Sequence, residues 1–326
     1  MYYPNDIEEV CYEPDHMKQV SEEIKKQFDR YFKLYLETEA ASKITAEKLI
    51  GIAEAVGSTQ TPKIKKVTDQ GEMYKSIVKE AINNFEKDRD SYLEIMDDEA
   101  LEEHEEDPPN FKSTVLKNTC PIIRVTLQNK RAKELDKYRA EFRRSDPNKL
   151  LSVVTNLSNF ATEYIENNYD KETYEDIQSL DELGFSPLDT SEYTAFGVIG
   201  GGIKSHLVYK TNPAVFPNRS RDAIWALWYL TGKKTFDCHE DSEFLMIDTE
   251  KNITQQNFFY PYELFSFYAL QTYRMMKEEA GNLDVYLNPD YRYVFVESFL
   301  SFVAHMHNEE INFLKSKFRE DGYGFH

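Results

Sequence analysis

The chain has 326 residues, of which 40% are hydrophobic and 30% charged, and its formal net charge is −19 at pH 7. Its 22 tyrosines and 21 phenylalanines supply ample material for buried cores, which excludes an intrinsically disordered chain. A protein this acidic is repelled as a whole by nucleic acid and by anionic membranes, so any such contact must be local and salt-sensitive.

The amino-terminal sequence and the cysteines indicate a cytoplasmic protein. The start, MYYPNDIEEV, lacks the basic residues and apolar core of a secretion signal. Cys11, Cys120 and Cys238 are odd in number and far apart, which predicts neither a disulfide framework nor a zinc site built from paired cysteines. The most apolar stretch, residues 291–306, is interrupted by charged residues, so we expect neither a membrane-spanning helix nor a membrane partner.

Helical periodicity dominates the first third of the chain. Apolar residues from 17 to 35 recur at the spacing of one helix face, and a shorter helix is predicted from 45 to about 55. Another periodic stretch leads into residues 97–107, where eight of eleven residues are acidic. Pro108 and Pro109 stop this stretch and the composition then turns basic, which predicts a domain boundary near residue 110.

The second part begins with a basic window, in which ten Lys and Arg stand against three acids between residues 112 and 144. The spacing predicts a basic amphipathic helix over 125–144 and a second helix over 148–168, capped by Asp146. Residues 224–230 are apolar on every side, which is typical of an enclosed central helix.

The last third is predicted to hold a short strand at 243–248 and two long helices at 262–279 and 290–317. The predicted fold is therefore mainly α, with a two-part helical architecture and few short strands in the C-terminal part. Its parts are an acidic helical domain over residues 1–108 and a larger aromatic-rich helical domain over residues 111–326.

Two neighbouring helix starts form the most informative stretch of the sequence. Three consecutive glycines end at Gly202, where free N–H groups and the absence of side chains let a ligand approach the backbone. Cations at a helix start are disfavoured by roughly 0.3–1 kcal/mol each, so Arg219 and Arg221 suggest an anion nearby. The predicted anion-binding residues are Gly201, Gly202, Lys204, Ser205, His206, Asn218, Arg219, Ser220 and Arg221.

Other interpretations of this stretch stay open. The anion could be internal, with Arg219 and Arg221 paired to some of the 58 acids of the chain. A Walker A loop would need Lys204 one residue earlier, directly after a glycine. The segment also resembles the turn and recognition helix of a helix-turn-helix, which would aim Lys204 and Lys210 at a groove.

No catalytic or metal-binding set stands out. Cys238, His239, Glu240 and Asp241 carry metal-competent atoms, but no second cluster stands at a recognised spacing. With so many acids, close carboxylate pairs arise by coincidence, so no catalytic residues are assigned. We therefore expect no metal and no cofactor.

These patterns favour non-catalytic recognition of a phosphate-bearing partner through the local basic patch, with nucleic acid as the preferred partner. The basic window at 112–144 would be a second contact. The alternative is a protein-interaction module whose acidic surface, including residues 97–107, occupies a basic groove on a protein partner. A third hypothesis is an enzyme that binds a nucleotide at residues 200–205. The sequence does not indicate an oligomeric state.

Overall fold

The computed structural model describes residues 7–55, 69–132, 135–238, 242–248 and 253–320. Within these ranges the protein is mainly helical, as predicted, with fourteen α-helices and one antiparallel hairpin. The helices are α1 (Pro14–Ala55), α2 (Gln70–Glu86), α3 (Arg89–Ile95), α4 (Asp98–Glu103), α5 (Pro108–Asn110), α6 (Pro121–Gln128), α7 (Asp136–Arg144), α8 (Pro147–Asn167), α9 (Leu180–Leu183), α10 (Gly201–Thr211), α11 (Arg221–Leu230), α12 (Tyr262–Asn282), α13 (Arg292–Met306) and α14 (Asn308–Glu320). The hairpin pairs β1 (Leu245–Asp248) with β2 (Ile253–Gln256), and Leu245 lies opposite Gln256. No helix in the described part of the chain combines the length and apolar character needed to cross a bilayer.

Helix α1 merges the two helices that were predicted separately near the amino terminus. Residues 36–44 contain neither glycine nor proline, so nothing in them interrupts the helix. The buried face of α1 repeats every three or four residues and includes Val20, Ile24, Phe28, Tyr31 and Tyr35. Phe28 packs against Phe299 of α13, with ring centroids 5.3 Å apart. The first helix of the chain therefore packs on one of the last.

The centre of the core is the crossing of α11 and α13, as the apolar sequence at 224–230 predicts. Ser220 caps α11, since its hydroxyl accepts a hydrogen bond from the N–H of Ala223 at 3.1 Å. Trp225 is fully buried, and its indole N–H donates to the side-chain oxygen of Gln256 at 3.1 Å. This bond ties strand β2 to the core.

The basic amphipathic helix predicted over 125–144 is not continuous. A π-helical segment, Phe111–Thr119, is followed by α6, which ends at Gln128, and by α7. The guanidinium of Arg139 donates to the carbonyls of Asn129 and Ala132, at 2.8 and 3.0 Å. A helix end leaves carbonyls without partners, and here a basic side chain satisfies backbone carbonyls of the connecting turn. Asp146 caps α8 as predicted, since its carboxylate accepts from the N–H of Asn148.

The acidic residues between 97 and 107 all lie on the surface. Asp97 caps α4 by accepting from the N–H of Ala100 at 3.0 Å, and Leu101 anchors that short helix in the core. The division near residue 110 stays a prediction, although elements on its two sides are in contact. Lys210 of α10, for example, pairs with Asp88, which precedes α3, at 2.6 Å.

Candidate functional site

The helix start that was predicted to bind an anion belongs to α10. Gly200 is the N-cap residue of this helix and, as a glycine, offers no side chain to accept from the first N–H groups. The guanidinium of Arg219 lies directly against Gly201, because a Cβ atom added there would stand 2.2 Å from Nη1. A Cβ atom added at Gly200 would meet no atom within 4 Å. The helix start is thus covered by Arg219 on one side and open beside Gly200.

Lys204 and Arg219 are buried, each with 4% of its surface exposed. The Lys204 ammonium donates to the carbonyl of Leu188 and lies 3.9 Å from Oδ1 of Asp189. Arg219 donates from Nη2 to the carbonyl of Asn257 at 3.0 Å, while its Nε has no hydrogen-bond partner among the residues that the structure describes. The sequence assigns both cations to a local basic patch, but neither lies on the surface. They lie inside the protein, and whether they bind an anion stays a prediction.

The two buried cations lie near the same carboxylate, that of Asp189, which also accepts hydrogen bonds from backbone N–H groups. Asp189 accepts from the N–H groups of Tyr262 and Glu263, at 2.8 and 3.3 Å, and so caps α12. Burial lowers the pKa of Lys204 to about 8 despite Asp189, and lowers the pKa of Arg219 to about 10. Burial, reinforced by Asp189, raises the pKa of Glu263 to about 7. The positive charges of Lys204 and Arg219 are therefore only partly balanced by the nearby carboxylates.

The two serines of the predicted site are occupied by structural hydrogen bonds. The hydroxyl of Ser205 accepts from the N–H of Arg219 and donates to the carbonyl of Gly202, both at 3.1 Å. Ser220 caps α11. Neither hydroxyl is free to recognise a ligand without breaking a bond that shapes the backbone.

His206, Asn218 and Arg221 do not add charge to this helix start. The His206 ring packs against Tyr92 with centroids 5.2 Å apart, and burial together with Lys210 lowers its pKa to about 4. Asn218 is buried and forms a side-chain hydrogen bond with His206. Arg221 is exposed and pairs with the neighbouring Asp222 at 3.3 Å. The structure therefore groups Gly201, Gly202, Lys204 and Arg219, which we call the α10 cluster.

A second polar cluster joins the amino-terminal turn to the segment before the hairpin. Cys11 lies in the 3₁₀ turn Glu9–Tyr12, His16 in the first turn of α1, and Cys238 and Glu243 between α11 and β1. One ligand atom of each residue lies within 4.8 Å of the other three. The two Sγ atoms are 3.8 Å apart, and His16 Nε2 contacts Oε2 of Glu243. We call these four residues the thiol cluster.

The surroundings of the thiol cluster hold its side chains in place. The hydroxyl of Tyr260 donates to Oε1 of Glu243 at 2.9 Å, and the backbone of Phe236 is hydrogen-bonded to His16. Burial is the largest single effect on His16 and opposes its charge, but the hydrogen bond with Glu243 and the negative charge of that carboxylate, with smaller contributions from Cys238 and Phe236, together raise the pKa of the imidazole. Cys11, His16 and Glu243 are buried, while Cys238 is partly exposed.

The hydrogen bond between the two cysteines affects them in opposite directions. It is the main cause that lowers the pKa of Cys238, and it also raises the pKa of Cys11, as does burial. Cys238 is therefore the thiol of the pair that ionises first. A partly exposed thiol with a lowered pKa beside a buried thiol, an imidazole and a carboxylate is a set of donors suited to a metal ion.

Sequence reasoning missed the thiol cluster because its halves are 227 residues apart. It considered Cys238 with His239, Glu240 and Asp241, which lie outside the described residues. One signal was present. Cys11 and His16 are five residues apart, and so are Cys238 and Glu243, but this spacing matches no familiar zinc motif.

Comparison with known proteins adds no relative. No family model matches the chain, and no match was found among the curated proteins or the solved structures. Function is therefore inferred from the geometry of the two clusters and from the charge on the surface.

Proposed function

We propose that the protein recognises a phosphate group at the start of helix α10, without catalysis. The N–H groups of Gly201 and Gly202 would donate to the phosphate, and Lys204 and Arg219 would neutralise it. The observation that carries this proposal is the guanidinium of Arg219 lying against Gly201. A helix start and a guanidinium both carry positive charge and repel each other, and an anion in contact with both removes that repulsion.

The charges around α10 support an anionic ligand. Lys204 and Arg219 face the single negative charge of Asp189, which also caps α12. Both pKa values are depressed by burial, so each cation is less stable inside the protein than in water. A bound phosphate would offset part of this penalty. The unpartnered Nε of Arg219 would also gain an acceptor within reach of its guanidinium.

Burial narrows the class of ligand. Side chains that are 4% exposed do not reach the backbone of an intact duplex, whose phosphates stay in water. The ligand that suits this position is a single phosphate group, free or at the end of a nucleotide or nucleic acid. It would approach beside Gly200, where the backbone is open.

Calorimetric titration with inorganic phosphate, a nucleoside 5′-monophosphate, and matched oligonucleotides with 5′-phosphate or 5′-hydroxyl ends tests this proposal. The Gly201→Ala variant should bind at least about tenfold more weakly, because its methyl group displaces the guanidinium of Arg219. Gly281→Ala is the matched control, since its methyl group meets no described atom within 4 Å and it lies at the far end of α12 from Asp189. No binding by the wild type, or equal binding by both variants, would show the proposal to be wrong.

A second candidate is supported by the exposure of the eight acids between 97 and 107. Such a surface could occupy a basic groove on another protein. Replacing Glu102, Glu103, Glu105 and Glu106 by Gln should leave the fold unchanged and remove salt-sensitive partners from a pull-down. Recovery of the same partners by the wild type and by this variant would count against the acidic surface.

A further inference from the structure

We propose that the thiol cluster binds one zinc ion through Cys11, His16, Cys238 and Glu243. A tetrahedral zinc ion with Zn–S bonds of about 2.3 Å holds two sulfur ligands about 3.8 Å apart. The observed separation of the two Sγ atoms is 3.8 Å. A disulfide would instead require about 2.05 Å, so the thiols stand at the spacing of two ligands of one metal.

The donor set selects the metal. Two thiolates and an imidazole favour zinc over magnesium or calcium, which prefer oxygen ligands. Zinc binding releases the proton of each thiol and the proton between Nε2 of His16 and Oε2 of Glu243, and it forms two Zn–S bonds, one bond to His16 and one to Glu243. Four protein ligands complete a tetrahedral zinc site and leave no position for a substrate, which is typical of a structural centre. Burial of three of the four side chains agrees with this role.

Outer contacts of the kind found around zinc ligands are already present. The Tyr260 hydroxyl holds one oxygen of Glu243, which leaves Oε2 directed at the other donors. The hydrogen bond with the backbone of Phe236 fixes the imidazole of His16. Such bonds orient metal ligands and raise the affinity of the site.

A zinc ion here would connect distant parts of the chain. It would fix the turn before α1 to the segment that leads into the hairpin, across 227 residues of sequence. That segment has an unfavourable backbone, because Phe236 and Asp237 have φ values of +51° and +65°. Bonds from Cys238 to a metal offset the strain of this conformation.

Elemental analysis of protein produced in zinc-supplemented medium should find one zinc ion per chain. Cys11→Ala and Cys238→Ala should lose it, whereas Cys120→Ala, which changes the third cysteine and one as buried as Cys11, should retain it. X-ray absorption at the zinc edge should show two sulfur ligands at about 2.3 Å and two nitrogen or oxygen ligands at about 2.0–2.2 Å. Absence of zinc, its retention in both ligand variants, or a disulfide between Cys11 and Cys238 in the wild type would overturn the proposal.

Two milder substitutions test the zinc site even if the cysteine variants do not fold. Tyr260→Phe removes only the hydroxyl that holds Glu243, and should weaken zinc binding about 10- to 100-fold in competition with a fluorescent chelator. Tyr268→Phe is the control, since the buried Tyr268 hydroxyl has no hydrogen-bond partner among the described residues. Equal zinc affinities in the two variants would contradict the assigned ligand geometry.

Discussion

The α10 cluster and the thiol cluster are both largely buried, but the α10 cluster lacks negative charge and the thiol cluster lacks positive charge. In the α10 cluster, two cations share the carboxylate of Asp189, which also caps α12. In the thiol cluster, two ionisable sulfurs and a carboxylate surround one imidazole. Burial makes unbalanced charge expensive in either case. The same physical condition therefore favours an anion at one place and a metal cation at the other.

The largest expected effect is a loss of stability that depends on the thiol cluster and not on the α10 cluster. Removal of zinc with a strong chelator should lower the free energy of unfolding by about 4 kcal/mol, relative to protein in free zinc at about 1,000 times its dissociation constant. Denaturant titration with and without the chelator measures this loss. Added phosphate should not restore it, because the proposed phosphate site is at α10 and not in the thiol cluster. An unchanged denaturation midpoint in the presence of the chelator would show that the thiol cluster holds no zinc that stabilises the fold.

A smaller effect is expected when the charge of the α10 cluster is altered. Asp189→Asn keeps an acceptor for the N–H groups of Tyr262 and Glu263 but removes the negative charge beside Lys204. Affinity for sulfate should rise about tenfold. The rise is no larger because Asp189 is partly exposed, so solvent screens much of its Coulomb interaction with the bound anion. Calorimetry measures this change, and the zinc content of the variant is the internal control. Unaltered or weaker sulfate binding would indicate that the cluster is already neutral.

The smallest effect is a pH dependence of anion binding. Sulfate keeps a constant charge near neutral pH, whereas Lys204 has a pKa lowered to about 8 by burial. Sulfate affinity should therefore fall as pH rises through about 8, because the ammonium loses its proton and its attraction for the anion.

Two variants sharpen this pH profile. Lys204→Met should lack the step near pH 8. Glu263→Gln should lack a separate decrease near pH 7, where ionisation of Glu263 adds negative charge close to Asp189. A wild-type profile that is flat between pH 6 and 9 would contradict the assignment of Lys204.

The difference between the clusters also explains what the sequence could predict. The residues of the α10 cluster lie within twenty positions of each other, so a local pattern of glycines and cations revealed them. Their burial depends on the loop before α10 and on the start of α12, which no local pattern connects. The thiol cluster unites two ends of the chain, and only the fold brings them together.

The helices show the same limit. Periodicity predicted α8, α11 and α12 well, because each buries one long apolar face or is wholly enclosed. The helix predicted over 290–317 is divided at His307, whose ring stacks on Tyr229 with centroids 3.7 Å apart. The break between α6 and α7 likewise depends on Arg139, which bonds carbonyls seven and ten positions away. Such contacts are set by tertiary structure rather than by propensity.

The contact between Gly201 and Arg219 has an evolutionary consequence. A methyl group at position 201 and an arginine at position 219 do not fit together, so the two positions are expected to covary in any related chain. A larger residue at 201 should accompany a shorter side chain at 219, with loss of one positive charge. Such paired changes would mark the lineages in which the positive charge at the start of α10 has changed.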